Sequence, residues 1–211
     1  MNKKYPAMVA LVLALVSLVG YESRAAEEAN PIRVAEMQKA FRDLWLGHIF
    51  LIQHVVLYNA ATDPAARDAA DKQVLDNAKQ IANTFIPFYG QARSEKLFTL
   101  LSGHYGAVKE YSEATIAENT RQQDSALGRL ASNAADIDMF FNGINPHYLP
   151  RDTVRGLIAA HGAHHVLQIN QYKKKEYAKL EETWSIMRQH VYVIADTLMT
   201  ALAKQFPARF L

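Results

Sequence analysis

Aligned with itself at offsets of 56 and then 57 residues, the chain superposes "LWLGH", "LLSGH" and "LIAAH", so that Leu44, Leu100 and Leu157 coincide, as do His48, His104 and His161. The same two offsets carry Asn77 onto Asn133 and His190, Ile81 onto Ile137 and Ile194, and Phe85 onto Phe141 and Leu198. Several columns that agree at one pair of offsets are the mark of an internal repeat, each copy being one supersecondary unit that buries its apolar face against its neighbours. The expected units are residues 31–86, 91–143 and 151–206.

Within each unit the apolar spacing is helical. Val34, Phe41, His48 and Val55 fall seven apart and interleave with Met37, Leu44, Leu51 and Tyr58, the 3-4 rhythm of one buried stripe with His48 inside it. Further helical segments run over 65–86, 93–117, 121–143, 152–174 and 178–205, broken by "TDP", "PFYG", "AENT", "NPHYLP" and "KKKEY". No stretch alternates with period two. The fold class expected is therefore all-α, a bundle of about six helices built as three tandem hairpins.

The hairpin reading sets a geometry for the polar columns. His48 and Asn77, His104 and Asn133, and His161 and His190 are each 29 residues apart, with midpoints at the breaks near Thr62-Asp63, Glu118-Asn119 and Lys175-Glu176. Two positions equidistant from the turn of an antiparallel hairpin lie at one height, so each histidine faces its partner about 20 Å from the loop. One consequence is structural: a buried neutral imidazole needs a hydrogen-bond partner, and an asparagine supplies one. The other is chemical: if the hairpins close around an axis, neutral imidazoles converge at one level and make a site for zinc or copper.

The third unit adds to this. His161 and His165 are four apart, on one helix face, a spacing that lets both reach one ion, and His190 lies opposite. The candidate metal residues are therefore His48, His104, His161, His165 and His190, with Asn77, Asn133 and Asp136 in support. His164, turned about 100° from His165, is expected to face solvent, and His54 and His147 to lie at the surface. Tyr105 and Tyr111 flank the second histidine helix and read as core.

Residues 1–25 read as a secretory signal, with Lys3 and Lys4, the apolar run "AMVALVLALVSLVG" and a small-x-small site at Ser23-Arg24-Ala25. The remainder, 26–211, is expected to be one helical domain, periplasmic or secreted, with no membrane span. Removing Lys3, Lys4 and Arg24 from 23 basic residues and Glu22 from 21 acidic ones leaves 20 of each. A neutral chain carries no electrostatic footprint for nucleic acid, and Lys173–Lys175 reads as a solvated helix end. The absence of cysteine excludes disulfides and thiolate ligands.

Trp45-Leu46-Gly47-His48, "PFYG" at Pro87–Gly90, "LLSGH" at Leu100–His104, "NAADIDMFFNGINP" at Asn133–Pro146 and "QFPARF" at Gln205–Phe210, in that order over nearly the whole mature chain, resemble a family of small, often exported bacterial helical proteins. The resemblance implies an all-helical domain and no reaction. The chain departs from that pattern at "IFLIQ" after His48 and at Tyr148, where a tryptophan is frequent, so ligand contacts at those positions need not carry over.

The chain has no H-E-x-x-H, no Glu-x-x-His of di-iron bundles, no phosphate loop and no G-x-S-x-G. A non-catalytic protein with a histidine-lined site for a transition metal or small ligand is the expectation, with a structural or partner-interaction bundle as the other class. Noncovalent haem ranks below zinc and copper, since no C-x-x-C-H is present.

Overall fold

The computed structural model describes residues 28–61 and 63–211, and over them the protein is a helical bundle without a strand among the described residues. Its elements are α1 (Pro31–Ala61), α2 (Pro64–Asn83), the single turn α3 (Ile86–Tyr89), α4 (Gln91–Ile116), α5 (Thr120–Ile144), α6 (Thr153–Lys173), α7 (Tyr177–Gln205) and a closing 3₁₀ turn over Pro207–Phe210. The proposed signal segment lies outside the described residues. The short α3, most of which the sequence reading took as the "PFYG" break, forms because the chain turns at Phe85 before Pro87 and stops at Gly90, whose φ of 81° suits a residue without a side chain.

The long helices start and stop for local reasons. Asp63 accepts a hydrogen bond from Ala66 N–H with Pro64 at the first helical position, and Asn119 accepts one from Gln122 N–H. Two of the turns close alike. Glu118 and Lys175 take left-handed φ values of 55° and 59°, and the next N–H reaches back six residues inclusive, Asn119 to Ala114 and Glu176 to Gln171. Both turns fall at the hairpin midpoints expected from the histidine spacing.

The helices pair as α1 with α2, α4 with α5 and α6 with α7. Contacts between α2 and α4, α5 and α6, and α7 and α1 then close the six into a ring. The first helix of each pair lies inward, since α4 also touches both α1 and α6. The hairpins thus close around an axis instead of stacking in a row.

The buried stripe of α1 differs from the expected one. Phe41, His48 and Val55 are buried as foreseen, but the interleaved positions are Trp45, Ile52 and Asn59, whereas Leu44 and Leu51 are half-buried and Tyr58 is exposed. An inner helix packs against neighbours on both sides, so its buried stripe is wider than a two-helix seam and swings toward the axis. α1 is long and apolar enough by composition to cross a membrane, yet in this fold its buried residues face the bundle.

The core is split in two. One apolar cluster holds Phe41, Trp45, Ile81, Leu101, Ile137, Phe141, Ile158 and Ile194; the other holds Ile52, Val55, Val74, Tyr105, Val108, Leu130 and Ile169. Along α1 the switch from one cluster to the other falls just past His48, between Ile49 and Ile52, and along α2, α4, α5 and α6 it falls at Asn77, His104, Asn133 and the His161–His165 turn. A polar layer therefore crosses the bundle between two apolar halves.

Candidate metal centre

The layer is built from hydrogen bonds whose direction can be assigned. Asn77 Nδ2 donates to Leu44 O at 3.1 Å, which turns its Oδ1 toward His48 Nδ1 at 3.2 Å. Asn133 Nδ2 donates to Leu100 O at 2.9 Å and presents Oδ1 to His104 Nδ1 at 3.2 Å. An amide oxygen only accepts, so Nδ1 of each imidazole carries the proton and Nε2 keeps its lone pair. In the third hairpin His190 Nε2 donates to Leu157 O at 2.8 Å, the bond that the asparagine Nδ2 makes in the other two.

The imidazoles meet where α1, α4 and α6 face one another. His48 is 5% exposed, His104 4%, His161 1% and His165 1%. One ring nitrogen each of His48, His161 and His165 lies within 4.8 Å of the other two. Nε2 of His161 and Nε2 of His165 are 3.2 Å apart. The His104 ring stacks on His161 with centroids 5.5 Å apart, and the His48 ring lies 5.8 Å from it on a 31° tilt.

Burial sets the protonation state. Desolvation pushes His48 and His104 down to about 4, with the Asn77 and Asn133 bonds opposing it in part. His161 and His165 are held well below the ordinary histidine value, by desolvation first and then by the neighbouring imidazoles, with Gln168 acting the other way on His165. Four neutral imidazoles is the state that metal binding requires. A tetrahedral zinc with Zn–N of about 2.0–2.1 Å has nitrogens about 3.3 Å apart along each edge. The His161–His165 pair already has that spacing, and His48 needs only to swing inward.

Three sequence expectations are corrected. His190 does face His161, with stacked rings and centroids 6.4 Å apart, but its Nε2–H is committed to Leu157 O and it stands outside the ligand group. Asp136 is exposed and supports no imidazole, because it is three residues past Asn133 and precedes the core residue Ile137 on the outer face of α5. His164 is half-buried and packs on His190, centroids 5.2 Å apart, instead of standing free in solvent. His104 lies beside the group of three without being one of it.

His54 and His147 are exposed, and Tyr105 and Tyr111 are core residues whose hydroxyls reach Asp71 and Asn170. The sequence reading missed Gln168, one turn past His165 and itself buried; a carboxamide three residues after a histidine on an inner helix was the available signal. It named Trp45 only as part of a motif and gave it no place in the site, where its ring packs edge-on against both His48 and His161 at 5.9 and 5.5 Å. The cavity bordered by Trp45, His48, His104 and His161 measures about 10 Å³, far too small for haem. No protein-family model, curated protein or solved structure matches the chain, so the chemistry of the site itself carries the functional reading.

Proposed function

We propose that this is an exported, non-catalytic binding protein that holds one transition-metal ion, zinc or copper, on His48, His161 and His165. The observation that carries the reading is the meeting of three buried imidazole nitrogens within 4.8 Å, two of them 3.2 Å apart, in a group that no carboxylate joins among the described residues and in a chain without cysteine. Neutral nitrogen donors suit borderline ions and disfavour calcium and magnesium, which take oxygen. The carboxamides of Asn77 and Gln168 beside His48 and His165 serve as the outer partners that orient ligating imidazoles.

The test is to purify the full chain from cells, determine bound zinc and copper by elemental analysis, strip it and titrate each metal back. One equivalent binds with a sharp endpoint in the wild type, and His161→Ala loses it. The absence of saturable binding in the wild type overturns the proposal.

A second reading is favoured by the two His–Asn bonds at 3.2 Å: the layer is a structural clasp that holds helix register, and the chain acts through its surface. Under that reading His161→Ala changes stability, and the wild type binds no metal.

A further inference from the structure

Three histidines leave one position of a four-coordinate ion to be filled, either by a ligand from solvent or by the protein. We infer that His104 fills it, closing the centre into a four-imidazole tetrahedron suited to zinc; this rests on the metal-binding reading above.

The clasp of Asn133 places the proton of His104 on Nδ1, which leaves an Nε2 lone pair on a ring 4% exposed, and that atom has no hydrogen-bond partner among the described residues. A buried acceptor left unmatched is destabilising unless something meets it. The same clasp at Asn77 sets the same tautomer on His48, which is already in the ligand group.

His48 and His104 flank His161 from α1 and α4, at 5.8 and 5.5 Å between ring centroids, and His165 stands one helical turn further along α6. Square-planar copper(II) calls for four donors in one plane, whereas zinc takes four imidazoles in a tetrahedron. Gly162 stands opposite His104, where an added Cβ would come into contact with its Cε1 at 3.5 Å, so the glycine keeps that side of the ring uncrowded. A solvent ligand has little space by comparison: the cavity that the His48, His104 and His161 rings share with Trp45 measures about 10 Å³, the size of one water at most. A closed site retains its ion, whereas an open one offers it to a substrate.

Cobalt(II) substituted for zinc in the full-length chain reads this out through its visible absorption. The wild type shows the intense bands of a four-coordinate ion, and azide leaves them unchanged. In His104→Ala the vacated position admits azide, the bands shift on its addition, and cobalt affinity falls by at least about 10-fold, the lower end of what even outer partners of metal ligands contribute. A wild-type spectrum that shifts with azide overturns the inference while leaving a three-histidine site intact. A His104→Ala spectrum identical to the wild type overturns it likewise. If His104→Ala fails to fold, the azide response of the wild type still decides. A wild type that binds neither cobalt nor zinc overturns both this inference and the metal reading beneath it.

Discussion

A carboxamide has one donating and one accepting end, and Asn77 and Asn133 each use both, the donor on a leucine carbonyl and the acceptor on an imidazole. Asn133→Leu keeps the branched shape but strands His104 Nδ1–H, so it destabilises the fold by about 1–3 kcal/mol in urea denaturation; an unchanged midpoint would mean the clasp contributes nothing. The glycine before each of these histidines gives a finer test. Helical Gly→Ala ordinarily stabilises by roughly 0.5–1 kcal/mol. A Cβ at Gly47 would lie 3.8 Å from Asn77 Nδ2, whereas one at Gly103 would press on Asn133 Nδ2 at 3.3 Å. Gly47→Ala therefore gains most of that stabilisation and Gly103→Ala gains less or loses, by thermal melting of the two variants; equal gains would contradict the tight approach. The histidine–asparagine pairs were legible at this scale because a hairpin converts equal sequence distance from a turn into equal height. The tautomers were not, since they depend on which way each carboxamide faces.

Among the elements, α6 carries two of the proposed ligands and is held at its start by a residue outside it. Asp152 has a left-handed φ of 68° and makes no side-chain cap; the buried Asp138 of α5 accepts from Asp152 N–H and Arg155 N–H instead, at 3.2 and 3.0 Å. Asp138→Ala should cost about 1–2 kcal/mol, in the range of a lost N-cap, and raise amide exchange over the first turn of α6. Retained protection there would show that α6 starts without it. Helix positions and hairpin turns were legible from periodicity and turn chemistry. Asp138 was not, because a cap supplied by another helix leaves no local pattern, and attention fell on Asp136, two residues away and on the outer face.

At the scale of the whole molecule, a layer of neutral imidazoles makes folding depend on pH. His48 and His104 titrate near 4 when folded, below the ordinary value near 6.5, and His161 and His165 are also depressed. As pH falls, the unfolded chain takes up protons before the folded one. The stability of the metal-free protein is therefore complete above about pH 6.5 and declines toward pH 4 by roughly 1.4 kcal/mol per unit for each buried histidine. Urea midpoints at pH 7, 5.5 and 4.5 should drop steeply and in order; a flat profile would show that the imidazoles are not buried neutral. The apolar clusters on either side of the layer are what impose the desolvation.

The order of residues alone determined the helices, the hairpin turns and the pairing of His48 with Asn77 and of His104 with Asn133, because each follows from spacing along a chain of constant rise per residue. Only the tertiary structure decided that the hairpins close into a ring, that His165 joins His48 and His161 while His190 turns to a carbonyl, and that His104 stands beside them with an unmatched lone pair. Those outcomes depend on distances between helices far apart in the chain, and such distances are set by how side chains of three hairpins pack together. No local pattern encodes that packing.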